Sequence, residues 1–128
     1  MPAGDRQHVA DMMTAPVETI SSDDTVREAA RVMRTEDINS LLVPGTEVGI
    51  VTGTDILDAV AAGHDLDELR VADVMTMPVE SISEEIQLHE AVAMMTNYTI
   101  NHLPVRDYDG DYVGMVSSTD LNEALANG

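Results

Sequence analysis

The chain contains no cysteine, no lysine, no tryptophan and no phenylalanine among its 128 residues, and only three tyrosines. Without cysteine there can be no disulfide and no thiolate metal site. Without Phe and Trp, any core must be built from Val, Ile, Leu, Met and Ala. No apolar stretch approaches the roughly 20 residues that span a bilayer. The opening Met1-Pro2-Ala3-Gly4-Asp5-Arg6-Gln7-His8 lacks the apolar run of a secretory signal. Catalytic apparatus is also missing: there is no Gly-x-Ser-x-Gly, no phosphate-binding glycine loop and no His-x-x-x-His, and His8, His64, His89 and His102 are scattered. These absences give the expectation of a cytoplasmic protein that is not an enzyme.

Basic residues are scarce. Six arginines face 24 acidic residues, for a net charge of −18. Such a field repels nucleic acid and anionic membranes, so neither is expected as a partner. The carboxylates are dispersed rather than gathered in a tail, and an acidic surface without lysine resembles that of proteins from salt-loving archaea. In molar salt the Debye length falls to about 3 Å, which screens self-repulsion and would let an anionic ligand approach.

What the sequence does have is repetition. Val9-Ala-Asp-Met-Met-Thr-Ala-Pro-Val-Glu-Thr-Ile-Ser21 returns 62 positions later as Val71-Ala-Asp-Val-Met-Thr-Met-Pro-Val-Glu-Ser-Ile-Ser83. Gly49-Ile-Val-Thr-Gly-Thr-Asp55 returns 65 positions later as Gly114-Met-Val-Ser-Ser-Thr-Asp120, so three residues are inserted between Val105 and Val113. Units of roughly 60 residues are small for lone domains, and two of them are expected to bury their apolar faces together. The repeats divide as residues 1–66 and 67–128, with His64–Arg70 as a short polar linker.

Each repeat has the same internal order. Val17–Ile20 and Val79–Ile82 alternate apolar and polar after a proline, as a half-buried strand does. Thr25 and Glu28 have capping-box spacing ahead of an apolar stripe at Val26, Ala29, Ala30 and Met33. Leu88, Ala91, Val92 and Met95 repeat that stripe, behind the poorer cap Gln87. Two strands follow, Leu41–Val43 with Val48–Thr52 and Leu103–Val105 with Val113–Ser117. Pro104 suggests an edge or a strand end there. Closing helices begin near Thr54-Asp55 and Thr119-Asp120, the first ending by Gly63. Asp107, Asp109 and Asp111 alternate on a turn but lack the rest of a calcium loop.

Three signatures recur in both halves: Val-x-Asp-x-Met-Thr-x-x-Val, Asn-x-Leu-x-Val, and Gly-x-Val-[Ser/Thr]-x-Thr-Asp. Together they resemble the CBS domain, and the chain resembles a tandem CBS pair over residues 9–128. The resemblance implies an α+β fold of two β-α-β-β-α repeats, packed sheet to sheet about a pseudo-twofold axis. It implies a regulatory role, with an adenosine-type ligand (AMP, ADP, ATP or S-adenosylmethionine) between the repeats and no catalytic cofactor. A homodimer and an unidentified effector protein are the expected partners. A structural dimerisation module with vestigial clefts is the alternative.

On that resemblance the site residues divide by role. Thr54-Asp55 and Thr119-Asp120 would hold the ribose hydroxyls, although Thr and Asp at such positions also serve simply as caps; Thr52 and Ser117 stand behind them as further polar groups. Met13, Thr14 and Pro16, with Met75, Thr76 and Pro78, would line the base, although methionines also fill a core that lacks Phe. Ile38 and Ile100 would form the opposite wall, beside Asn39, Asn101 and Pro104. His102 is the best phosphate candidate, where Ser40 stands in the first repeat. Arg70 and Arg106 are alternative cations or plain surface residues.

Overall fold

The computed structural model describes residues 8–77 and 79–127. The chain forms two compact units, and each draws its opening segment from the other repeat. One unit runs from Glu18 to Val79; the other joins the chain up to Val17 to the chain from Glu80 onward.

In the Glu18–Val79 unit, α1 (Val26–Glu36) leads to β1 (Ser40–Val43), β2 (Gly49–Thr52), α2 (Gly53–Ala61) and the short α3 (Val71–Val74). β1 and β2 pair antiparallel. Ala29 and Met33 of α1 are buried with Leu41, Val43 and Val51, Val71 of α3 joins the same core, and Val26 at the start of α1 is also buried. The expected strand at Val17–Ile20 shortens to one parallel bridge, Thr19 to Leu42. It is held by Leu42 N–H to Glu18 O at 3.0 Å and Ile20 N–H to Leu42 O at 2.9 Å.

The other unit holds a 3-10 turn (Val9–Asp11), β3 (Ile82–Ser83), α4 (Leu88–Tyr98), β4 (His102–Arg106), β5 (Tyr112–Ser117) and α5 (Ser118–Asn127). β4 is the central strand of a β3-β4-β5 sheet, parallel to β3 and antiparallel to β5. Pro104 therefore sits in mid-strand rather than at an edge. Its counterpart Leu42 gives its N–H to the parallel neighbour, a bond proline cannot make, and pairing with β3 begins one residue later at Val105. Val9, fully buried, packs with Leu88, Leu103, Val105 and Val116. Burying one such valine contributes roughly 1.5 kcal/mol toward seating the opening segment on its unit.

Two further local expectations are corrected. The Thr25 hydroxyl caps α1 by accepting the Glu28 N–H at 3.1 Å, but the Glu28 carboxylate turns to Arg31, with Nε to Oε2 at 2.9 Å, instead of reaching back. A full capping box opens the next helix, with Thr52 and Asp55 on α2. The segment His64–Arg70 is more than a linker: the Leu69 and Leu66 carbonyls accept the N–H groups of Val26 and Arg27, and Arg27 pairs with Asp67. These bonds occupy donors that the first turn of a helix leaves open.

Candidate functional site

The signature glycines seat the opening segments. Thr14 exchanges two backbone bonds with Met115 of β5, at 2.8 and 3.0 Å, and Thr76 exchanges two with Ile50 of β2, at 2.9 and 3.0 Å. At Gly114 a Cβ would meet the Met13 thioether sulfur, with the Met13 Cγ at 2.8 Å and the Thr14 carbonyl at 3.0 Å. At Gly49 it would meet the Met75 sulfur and the Thr76 carbonyl, both at 3.1 Å. Only a residue without a side chain lets backbone approach so closely. The repetition marked both glycines, but sequence reasoning gave them no role.

The strands that carry these segments end in reciprocal caps. Asp55 Oδ2 accepts the Thr52 N–H at 2.8 Å and its hydroxyl at 3.2 Å, while the Asp55 N–H goes to Thr52 Oγ1 at 3.4 Å. Asp120 Oδ2 accepts the Ser117 N–H at 3.3 Å, and the Asp120 N–H goes to Ser117 Oγ at 3.1 Å. Thr52 and Ser117 are thus the capping hydroxyls, while Thr54 and Thr119 are exposed on the first turns. Each box engages Oδ2 of its aspartate, and Asp55 and Asp120 are half-buried.

His102 stands opposite Ser117 in the ladder, as Ser40 stands opposite Thr52. Burial pulls the His102 imidazole below the ordinary histidine range, and the neighbouring Asp120 carboxylate only partly opposes this. Near neutral pH it is a hydrogen-bonding group rather than a cation. Ser40 is buried.

The structure divides the remaining candidates. Asp55 lines an open hollow of about 540 Å³ with Asp58, His64 and Asp73; Ile38 and Asn39 do not line it. Ile100 and Asn101 line a different cavity, of about 300 Å³, between α4 and α5, and Thr119 and Asp120 do not line that one. Met13 and Met75 are half-buried, Thr14, Thr76 and Pro16 are exposed, and the Pro104 side chain is fully buried. Pro78 lies outside the described residues.

The alternative cations have structural partners. Arg70 Nη1 donates to the Asp23 carbonyl at 3.1 Å. Arg106 donates to the Gly110 carbonyl at 3.0 Å and lies 5.2 Å from the Tyr112 ring centre, a cation–π contact that braces the hairpin. In the same turn Asp107 Oδ1 accepts the N–H groups of Asp109 and Asp111. The alternating aspartates are therefore a turn device, and among the described residues no group of three His, Asp or Glu side chains is placed to hold a metal ion.

A family model described as the CBS domain matches residues 9–62 and 71–127. The chain belongs to the CBS-domain family. It is α+β, with two CBS repeats, and similar to solved CBS pairs. One, a putative signal-transduction protein with CBS domains from Burkholderia ambifaria, is 29% identical with TM-score 0.85 over 94% of this chain and 95% of that one. Another is the CBS domain pair of protein MJ0100 in complex with 5′-methylthioadenosine and S-adenosyl-L-methionine. It is 27% identical with TM-score 0.84, over 94% of this chain and 97% of that one. Among curated sequences, an uncharacterized 17.7 kDa protein of Acidianus ambivalens is 33% identical over 91% of this chain and 72% of its own. A homoserine O-acetyltransferase of Methanosphaerula palustris is 35% identical over 97% of this chain, which spans only 25% of that enzyme. No helix among the described residues is long and apolar enough to cross a membrane.

Proposed function

We propose that this CBS pair is a regulatory module that binds an adenosine-type ligand and signals by contact with a second copy or an effector protein. One duplicated arrangement carries the reading. In each unit a Met-Thr segment is laddered onto the strand whose end holds an aspartate in a reciprocal cap. The segment supplies soft thioethers and backbone groups for a purine, and a capped aspartate is held ready for a ribose diol. A CBS pair of similar fold is bound to 5′-methylthioadenosine and S-adenosyl-L-methionine, which supports the same ligand class here.

Local charge narrows that class. The hollow at Asp55 carries Asp58 and Asp73, His102 is held toward neutrality, and Arg70 and Arg106 are engaged elsewhere. Polyphosphates would find no counter-charge, whereas a neutral or cationic adenosyl compound would meet carboxylates. S-adenosylmethionine and 5′-methylthioadenosine are therefore favoured over ATP. The acidic, lysine-free surface fits a cytoplasm of high salt, and the chain acts as a sensor rather than an enzyme.

Thermal melts in molar KCl with S-adenosylmethionine, 5′-methylthioadenosine, AMP and ATP test the reading. A true ligand at 100 times its Kd stabilises by about 2.7 kcal/mol. Asp120→Asn should weaken binding roughly tenfold, since an amide keeps one acceptor but loses the charge-assisted bond. A melt that none of the four compounds moves would favour the structural dimerisation module instead, a reading supported by the buried Ser40 and the scarcity of free cations.

A further inference from the structure

We propose that the cavity between α4 and α5 is a separate binding site, for a small uncharged molecule bearing an amide or hydroxyl edge. Its floor is apolar: Met95 and Leu121 are buried, and Val92 and Ile100 are half-buried. Its rim is polar but neutral, made by Thr96, Thr99, Asn101, Ser118 and Asn122. Not one charged side chain lines it, although 23% of the chain is charged. An apolar floor with a few convergent polar groups is the usual make-up of a small-molecule pocket, and about 300 Å³ is at the small end of that range. The lining offers an ion no counter-charge, whereas its amides and hydroxyls can pair with a neutral amide or hydroxyl, which favours an uncharged occupant.

Two further observations set this cavity apart. On α5, Ser118, Leu121 and Asn122 share one helical face, and Asp120 projects from another. The cavity is therefore distinct from the aspartate site proposed above, and does not depend on it. Thr99, on the rim, has φ +56. It is the C-cap of α4 and gives its N–H to the Met95 and Thr96 carbonyls, a usual left-handed helix ending that a β-branched residue fills only with some strain. The duplication supplies the comparison: the first repeat places Asp37, a residue that tolerates this conformation, at the same φ. It also has Arg34 where the second repeat has Thr96. The left-handed cap is shared, and the neutral lining belongs to one copy only.

The test is a titration of the full chain in molar KCl with nicotinamide, a flat uncharged amide, and with nicotinate, its isosteric anion. The readout is the methyl resonances of Val92, Met95, Ile100 and Leu121. Nicotinamide should shift all four, and nicotinate should bind at least roughly tenfold more weakly. Asn122→Trp, at an exposed position, should fill the mouth and abolish the shifts. Thr99→Gly should raise the melting temperature yet weaken nicotinamide, a pairing that mere loss of structure cannot produce. The same titration in the presence of excess S-adenosylmethionine should give the same nicotinamide shifts, which separates failure here from failure of the adenosine reading. Absent shifts, equal binding of amide and anion, or methyl shifts that follow protein concentration alone, as when a second copy covers the cavity, would each overturn the proposal.

Discussion

The thioether of Met13 occupies the space where a side chain on Gly114 would begin. The same glycine faces the Thr14 carbonyl, so the opening segment and β5 touch with no room for a methyl group. Gly114→Ala should therefore destabilise the chain by about 2 kcal/mol, in the range of overpacked cores. Gly49→Ala, where the Met75 sulfur and Thr76 carbonyl stand at 3.1 Å, should cost less. Paired denaturant melts check the order, and equal losses would contradict the tighter packing at Gly114.

His102 gives a pH dependence of defined sign. Burial holds its folded-state pKa below the unfolded value, so the unfolded chain takes up this proton first. The group costs no stability well above pH ~6.5, and stability is lost as pH falls through that value toward the folded pKa. Between pH 7.5 and 5.5 the melting temperature of His102→Gln should fall less steeply than that of the parent. Identical slopes would show that His102 titrates as it does in the unfolded chain.

Net charge sets the salt response. With 24 acidic residues and six arginines, repulsion within the folded state weakens as ions screen it. Raising KCl from 0.1 to 2 M should raise the melting temperature by several degrees. A flat or falling curve would mean that the carboxylates are already compensated.

The reciprocal caps make the aspartates structural as well as available. Asp120→Ala removes an acceptor from the Ser117 N–H and should cost about 1 kcal/mol, and Asp55→Ala likewise. The amide variants should retain most of this stability. An Asp120→Ala variant as stable as the parent would mean that the cap does not form in solution.

Thr99→Gly should stabilise by about 1 kcal/mol through relief of its left-handed backbone. Asp37→Gly, starting from a more tolerant residue, should gain less. The difference between the two, measured by chemical denaturation, isolates the strain in the second repeat.

Much of the fold was legible because each repeat states the same period twice. The stripe at Val26, Ala29 and Met33 and its twin at Leu88, Ala91 and Met95 could only be helices with one buried face. Gly63 closed α2 as expected, at φ +82. Less legible was anything decided by partners distant in sequence. Glu28 has capping spacing, but Arg31 is a stronger attraction than a backbone amide. Pro104 reads as an edge because proline lacks a donor, yet a strand loses only one bond there. Spacing along the chain also does not reveal which face of α2 or α5 a hollow opens on: Asp55 lines a hollow that Ile38 and Asn39 do not, and Ile100 with Asn101 line a cavity that Asp120 does not.

Neither half of the chain carries all the parts of its own body. Val9 is buried against Leu88 and Leu103, and Val71 against Ala29 and Leu41, so each half finishes the other. Severed between Gly63 and Asp67, the two fragments should be poorly folded alone and regain cooperative melting on mixing. Loss of either opening arm would then be felt in the half that did not contribute it.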